Sequence, residues 1–257
     1  MKRGARSKSD VFNPKAKSAS EAMDFLVLAN RILSNEGIMD YLGHVSVRNP
    51  DNPQTFFISR ALAPEQVTRR DLLEVDFEGR IVTRTTAKPY SERIIHGAIY
   101  KARPDVHSVI HAHPHPLIIL SVSDVPVRIL YHPAGVFYEG VPLYDGYDFT
   151  SPNASGMLVR SKEEGDRVAK TLGNSRGMLM RGHGCNVVGE SVPQAVKDII
   201  ALRDNVMLQL AAQQLGQIKS LTFEEAKAAA AALSGPERGW NYWAARAKRA
   251  MPDLSDL

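Results

Sequence analysis

The segment that most constrains this chain is Val109-Ile110-His111-Ala112-His113-Pro114. It reads as a buried strand that Pro114 stops, since proline has no N–H to give a sheet. Side chains alternate faces along a strand, so His111 and His113 share a face and Ala112 turns away. Two neutral imidazoles on one face can converge on one divalent ion, with Zn, Mn, Fe or Co as the suitable metals. A third ligand must then come from elsewhere in the chain. His183 is the candidate, set between Gly182 and Gly184 and between two apolar strands, Gly177–Arg181 and Cys185–Val188. Glycine on both sides lets the backbone bend and approach closely. His115 competes for the third position, although Pro114 is expected to turn it aside. Three protein ligands with open positions suit a catalytic site better than a structural one.

The rest of the chain reads as one α/β domain over residues 18–257, with a mostly antiparallel sheet between helical layers. Ser18-Ala19-Ser20-Glu21 fits a capping box, and Gly37 suits the end of the helix it opens. Strands are expected at His44–Arg48, Phe56–Ser59, Leu73–Phe77, Ile81–Thr83, Val106–His113, Val127–Tyr131 and near Val141–Leu143. Helices are expected from Glu92 to Ala102 with Ser91 as N-cap, over Glu163–Leu172, and from Val192 to about Leu215. Two more follow at Thr222–Leu233 and Trp240–Met251, where Trp240, Tyr242 and Trp243 read as packing residues or a pocket rim.

Residues 1–17 read as a disordered basic tail. The first 20 residues carry +5 of the formal net charge of +4, leaving about −1 for the remainder. The basicity is a property of the tail, so nucleic acid is not an expected partner of the folded body. No apolar run approaches the roughly 18 residues of a membrane span, and no apolar stretch follows the basic start as in a secretory signal. The single cysteine, Cys185, excludes an intrachain disulfide and points to a cytoplasmic home. In an apolar strand it reads as inert core before it reads as a nucleophile. Gly182-His183-Gly184 lacks the third glycine of a dinucleotide loop. Glu92, at a helix start, either complements the helix dipole or serves as a catalytic acid/base.

These segments together resemble the class II aldolase/adducin family. The resemblance rests on Gly43-His44-Val45-Ser46-Val47-Arg48, Ser91-Glu92, Ala102-Arg103-Pro104-Asp105-Val106 leading to His111-Ala112-His113, and Arg181-Gly182-His183-Gly184, in that order. It implies an α/β/α sandwich, one divalent metal on His111, His113 and His183, with Zn or Mn favoured, and Glu92 as acid/base. It also implies a homotetramer. Adducin-like interaction proteins of the family lack the metal histidines, so their presence argues for an enzyme. The segments that bind phosphate in sugar-phosphate members are altered: His44 stands for an asparagine, Ser59-Arg60-Ala61 for a Ser-Gly turn, Tyr90-Ser91 for Ser-Ser. The variant is similar to the branch of decarboxylases of hydroxylated aromatic or pyridine dicarboxylates. The resemblance therefore implies a metal-dependent lyase that decarboxylates a hydroxy carboxylate through an enolate-type intermediate, with an aldolase or epimerase as the alternative. Arg48, Arg60 and Arg93 are candidate carboxylate anchors, since a guanidinium forks onto carboxylate. His44, Ser46, Ser59, Tyr90 and Ser91 are candidate substrate contacts.

Overall fold

The computed structural model describes residues 12–147 and 156–254. Its sheet is built from β1 (His44–Arg48), β2 (Thr55–Ser59), β3 (Leu72–Asp76), β4 (Ser108–Ala112), β5 (Leu143–Tyr144), β6 (Gly177–Met180) and β7 (Gly184–Gly189), in the order β3-β2-β1-β4-β7-β6-β5. Every pairing is antiparallel except β5 with β6.

Both faces of the sheet are covered, which is why most strand residues are apolar and buried rather than alternating. On one face α2 (Arg93–Ala102) and α4 (Lys162–Leu172) cover Phe56, Ile58, Val75, Val109, Met178 and Val188. On the other, α1 (Ala19–Asn35), α3 (His115–Ser121), α5 (Val192–Gln213) and α7 (Glu237–Ala250) cover Val45, Val47, Phe57, Ile110, Cys185 and Val187. The short α6 (Phe223–Ala232) packs on a 3-10 segment at His132–Phe137. The fold is the three-layer α/β/α sandwich expected. No helix among the described residues is long and apolar enough to cross a membrane.

Several local expectations need correction. Val127–Tyr131 is not a strand. Its backbone pairs with two buried amides of α5: Asn205 Oδ1 accepts from the N–H of Leu130 at 2.8 Å, and Gln209 Oε1 from that of Arg128 at 2.8 Å. The side chains of a helix thus satisfy polar groups that a sheet neighbour would otherwise take. Ile81 makes one bridge to Val75 and no strand. Helix α3 was not anticipated; at seven residues it is too short to show a period. Ser18 caps α1 by accepting from the Glu21 N–H, but the Glu21 carboxylate accepts from Lys17 instead of closing a box. Ser91 does not cap α2; Glu92 is its N-cap residue and makes no side-chain cap bond.

The first 11 residues of the expected tail lie outside the described residues. Residues 12–17 lie against the body: the Phe12 ring meets Phe25 edge-on at 6.5 Å, and Ala16 packs on the core. Trp240 is buried edge-on to Phe25, whereas Tyr242 is exposed.

Candidate metal centre and active site

The sheet register brings the site together. His44 of β1 lies opposite His111 of β4, and His111 opposite Asn186 of β7, so the three share one face. Helix α2 sits above that face and delivers Glu92 at its start. His113 lies one residue past the end of β4, and His183 in the turn between β6 and β7.

The glycines of that turn have separate tasks. Gly182 adopts φ +62, a left-handed conformation that suits a residue without Cβ. A Cβ on Gly184 would stand 2.3 Å from the Ala112 carbonyl oxygen and 2.9 Å from the His113 ring. Only glycine lets the start of β7 come that close to the end of β4, and this closeness is what brings His183 to His111 and His113.

The three rings converge with centroids 4.9 to 5.4 Å apart. Each Nδ1 has an outer partner. His111 Nδ1 is 2.9 Å from Asn186 Oδ1, His113 Nδ1 is 3.3 Å from Asp40 Oδ1, and His183 Nδ1 is 3.3 Å from the Tyr147 hydroxyl. A carboxylate or amide oxygen accepts only, so Nδ1 of His111 and His113 carries the hydrogen and Nε2 is left with its lone pair. His111 Nε2 and His113 Nε2 then face each other 3.1 Å apart. Two lone pairs at that distance repel unless a cation lies between them. Tetrahedral zinc with Zn–N near 2.0–2.1 Å spaces its ligands by roughly 3.3 Å. One donor atom from each histidine lies within 4.8 Å of the others. The donor set and its spacing fit a divalent metal.

Protonation agrees. Burial pushes His111 down to about 3, and lowers His113 against the opposing pull of Asp40. Both are neutral at physiological pH, as ligands must be. Burial alone would raise the Glu92 carboxyl. A positive charge at the Nε2 side of His183 and His111, together with the Val159 N–H, opposes it and holds Glu92 at about 2. Glu92 is thus ionised while buried. Its Oε1 accepts from Val159 N–H at 2.9 Å, and its Oε2 stands 3.6 Å from His183 Nε2 and 3.8 Å from His111 Nε2. The carboxylate faces the cluster and leaves its own helix uncapped.

The remaining candidates divide. His44 stacks on His111 with centroids 5.0 Å apart, and Tyr90 packs on His44 at 4.5 Å. Ser59 is buried beside the Tyr90 hydroxyl, and Ser91 is exposed. Arg48 has another task. Its guanidinium donates to the carbonyls of Val106, Pro53, Tyr100 and Arg103 and lies over the Phe77 and Tyr100 rings. Arg93 donates to the carbonyls of Gly79 and Tyr90. These two staple loops rather than reach for substrate. Arg60 binds Asp71 through Nε alone at 2.7 Å, which leaves the ends of its fork without a partner among the described residues. His115 is exposed at the start of α3, and burial pushes the Cys185 thiol up to about 12, so neither joins the site.

Asp40, Asn186, Tyr147 and His96 were not anticipated. Each acts through another side chain and comes from a distant segment, so spacing alone gave no sign of them. An Asn186→Ala substitution removes the acceptor that orients His111. Metal affinity is expected to fall about 10–100-fold in a competition titration; unchanged affinity would remove Asn186 from that role.

Residues 25–210 match the profile of the class II aldolase and adducin N-terminal domain. The chain belongs to that family. It is an enzyme of the class II aldolase family. It is 32% identical over 219 residues to decarboxylase tropJ of Talaromyces stipitatus, covering 81% of this chain and 78% of that one. Identity to the 3,4-dihydroxyphthalate decarboxylase of Arthrobacter keyseri is 27% over 199 residues, covering 70% and 74%. Among solved structures, L-fuculose 1-phosphate aldolase from Glaciozyma antarctica superposes with a TM-score of 0.78 at 23% identity, covering 95% and 96%. That last likeness concerns the fold.

Proposed function

We propose that this chain is a divalent-metal-dependent carboxy-lyase acting on a hydroxylated aromatic or pyridine carboxylate. The observation that carries the proposal is the buried Glu92 carboxylate facing Nε2 of His183 and of His111, with His113 Nε2 beside them. The decarboxylase relatives support the choice of reaction.

His111, His113 and His183 would hold the ion, with Zn or Mn the first choices. Once bound, it supplies a Lewis acid for neighbouring substrate oxygens and for the charge that develops on them. Glu92 handles the proton. As a carboxylate it takes the hydrogen of the substrate's hydroxyl. The freed pair on that oxygen pushes through the ring to the carboxylate-bearing carbon, which takes the proton back from Glu92 and leaves a ketone. When the carbon–carboxylate bond then breaks, carbon dioxide leaves and its electron pair returns through the ring to the ketone oxygen. The chemistry ends with one C–C bond broken and one C–H bond made, and Glu92 ionised as it began.

Arg60 is the anchor the structure leaves open for a second carboxylate. Arg60→Ala is expected to raise KM about 10-fold or more, the value of one charge-assisted hydrogen bond, with kcat little changed. Arg48→Ala is expected instead to lower the melting temperature, because four backbone carbonyls, two of them in buried hydrogen bonds, lose their donor. The reverse pattern would exchange the two roles.

The deciding assay incubates the metal-loaded protein with panels of hydroxy-aromatic carboxylates and of sugar phosphates. Carbon dioxide from the first panel is expected. Aldehyde from the second would replace decarboxylation with retro-aldol cleavage.

A further inference from the structure

Four polar side chains form a line beneath the site. His44 Nδ1 is 2.7 Å from His96 Nε2, His96 Nδ1 is 2.6 Å from Ser46 Oγ, and Ser46 Oγ is 2.8 Å from the Tyr100 hydroxyl. His44 and Ser46 stand on β1, two residues apart and therefore on one face; His96 and Tyr100 stand on α2, one turn apart. All four are at most 2% exposed. The line begins at His44, stacked on His111, and ends at Tyr100 in the core.

A row of hydrogen bonds has a direction, and its buried end fixes it. The Tyr100 hydroxyl has one hydrogen; the Val109 N–H donates to its oxygen, and the acceptor it has among the described residues is Ser46 Oγ. If Ser46 donated to Tyr100, the Tyr100 hydrogen would be stranded in the core without an acceptor. Tyr100 therefore donates to Ser46. Ser46 then gives its own hydrogen to His96 Nδ1. A neutral ring has one N–H, so His96 carries it on Nε2 and donates to His44 Nδ1. His44 is left with its hydrogen on Nε2, the nitrogen that makes no hydrogen bond among the described residues. A donor atom of His44 lies within 4.8 Å of donor atoms of Glu92 and His111.

We propose that Tyr100, Ser46 and His96 are positioning residues that lock His44 as an Nε2–H donor, so that the site selects substrates carrying an anionic oxygen there. The hydroxy-carboxylate as acceptor rests on the function proposed above; the tautomer does not. With the row reversed, His44 would present a lone pair and repel a carboxylate or phenolate. The device costs no charge, and it needs every member, because each ring passes on the direction it receives.

The test uses the full chain, loaded with zinc and labelled with ¹⁵N in the histidine rings. Nitrogen spectra are expected to show His44 and His96 each with a protonated Nε2 and a bare Nδ1, assigned by removing one histidine at a time. Nδ1–H on either ring would overturn the proposal. Tyr100→Phe keeps the packed ring and removes only the terminal donor. In that variant His44 is expected to lose its single tautomer, and KM for the hydroxy-carboxylate to rise about 10-fold with zinc content unchanged. A His44 spectrum identical to wild type, or an unchanged KM, would overturn the role assigned to the row. If no substrate turned over, the ring spectra of the wild type would still decide the tautomer, and only the functional reading would fail.

Discussion

His111→Ala is expected to leave the protein folded, almost free of metal, and slower in carbon dioxide release by at least about 10³-fold. The size follows from its position. His111 is fully buried, stands at the centre of the sheet, and is the ring that both other histidines meet edge-on. Its loss leaves two ligands and an open side, so added metal does not restore the rate. Metal content by mass spectrometry and circular dichroism on one sample check the claim. Wild-type metal content would show that His111 is not a ligand.

Glu92→Gln is expected to behave in the opposite way: metal retained, turnover reduced about 10²–10⁴-fold, the range for a lost acid/base group. The amide has nearly the carboxylate's shape, and its oxygen can still accept the Val159 N–H, so the start of α2 stays in place. It cannot take or return a proton. KM should change little, because the lost interaction belongs to the proton transfer more than to binding. Full activity would remove Glu92 from the chemistry. A loss of metal would make it a ligand instead.

The two variants separate holding the ion from moving the proton, and the sequence showed these parts unequally. His111 and His113 were legible because strand alternation is a local rule, and His183 because two glycines flank it. The mostly antiparallel sheet between helical layers was legible in short strand-like runs and in well-capped helices such as α4 and α5, whereas the order of the strands was not. Two of the three candidate anchors, Arg48 and Arg93, are engaged with backbone carbonyls. Arg48 has the right chemistry for a carboxylate, yet the β1 register places its fork against four backbone carbonyls. Nothing in the spacing shows which acceptor is nearer. Asp40 and Asn186 escaped for the same reason: they are 73 and 75 residues from the histidines they orient. The Val127–Tyr131 segment has the composition of a strand, but it lies beside Asn205 and Gln209 instead of a strand edge. Local pattern decided wherever burial alone sets the structure, and failed wherever a distant polar side chain supplied the partner.

One titration tests the account most directly. Chelator-stripped protein is given zinc or manganese in steps, and bound metal and carbon dioxide release from a hydroxy-aromatic carboxylate are followed together. The account predicts that both rise in proportion and level off at one ion per chain. Carbon dioxide release that survives stripping, or protein that binds no ion, would contradict it.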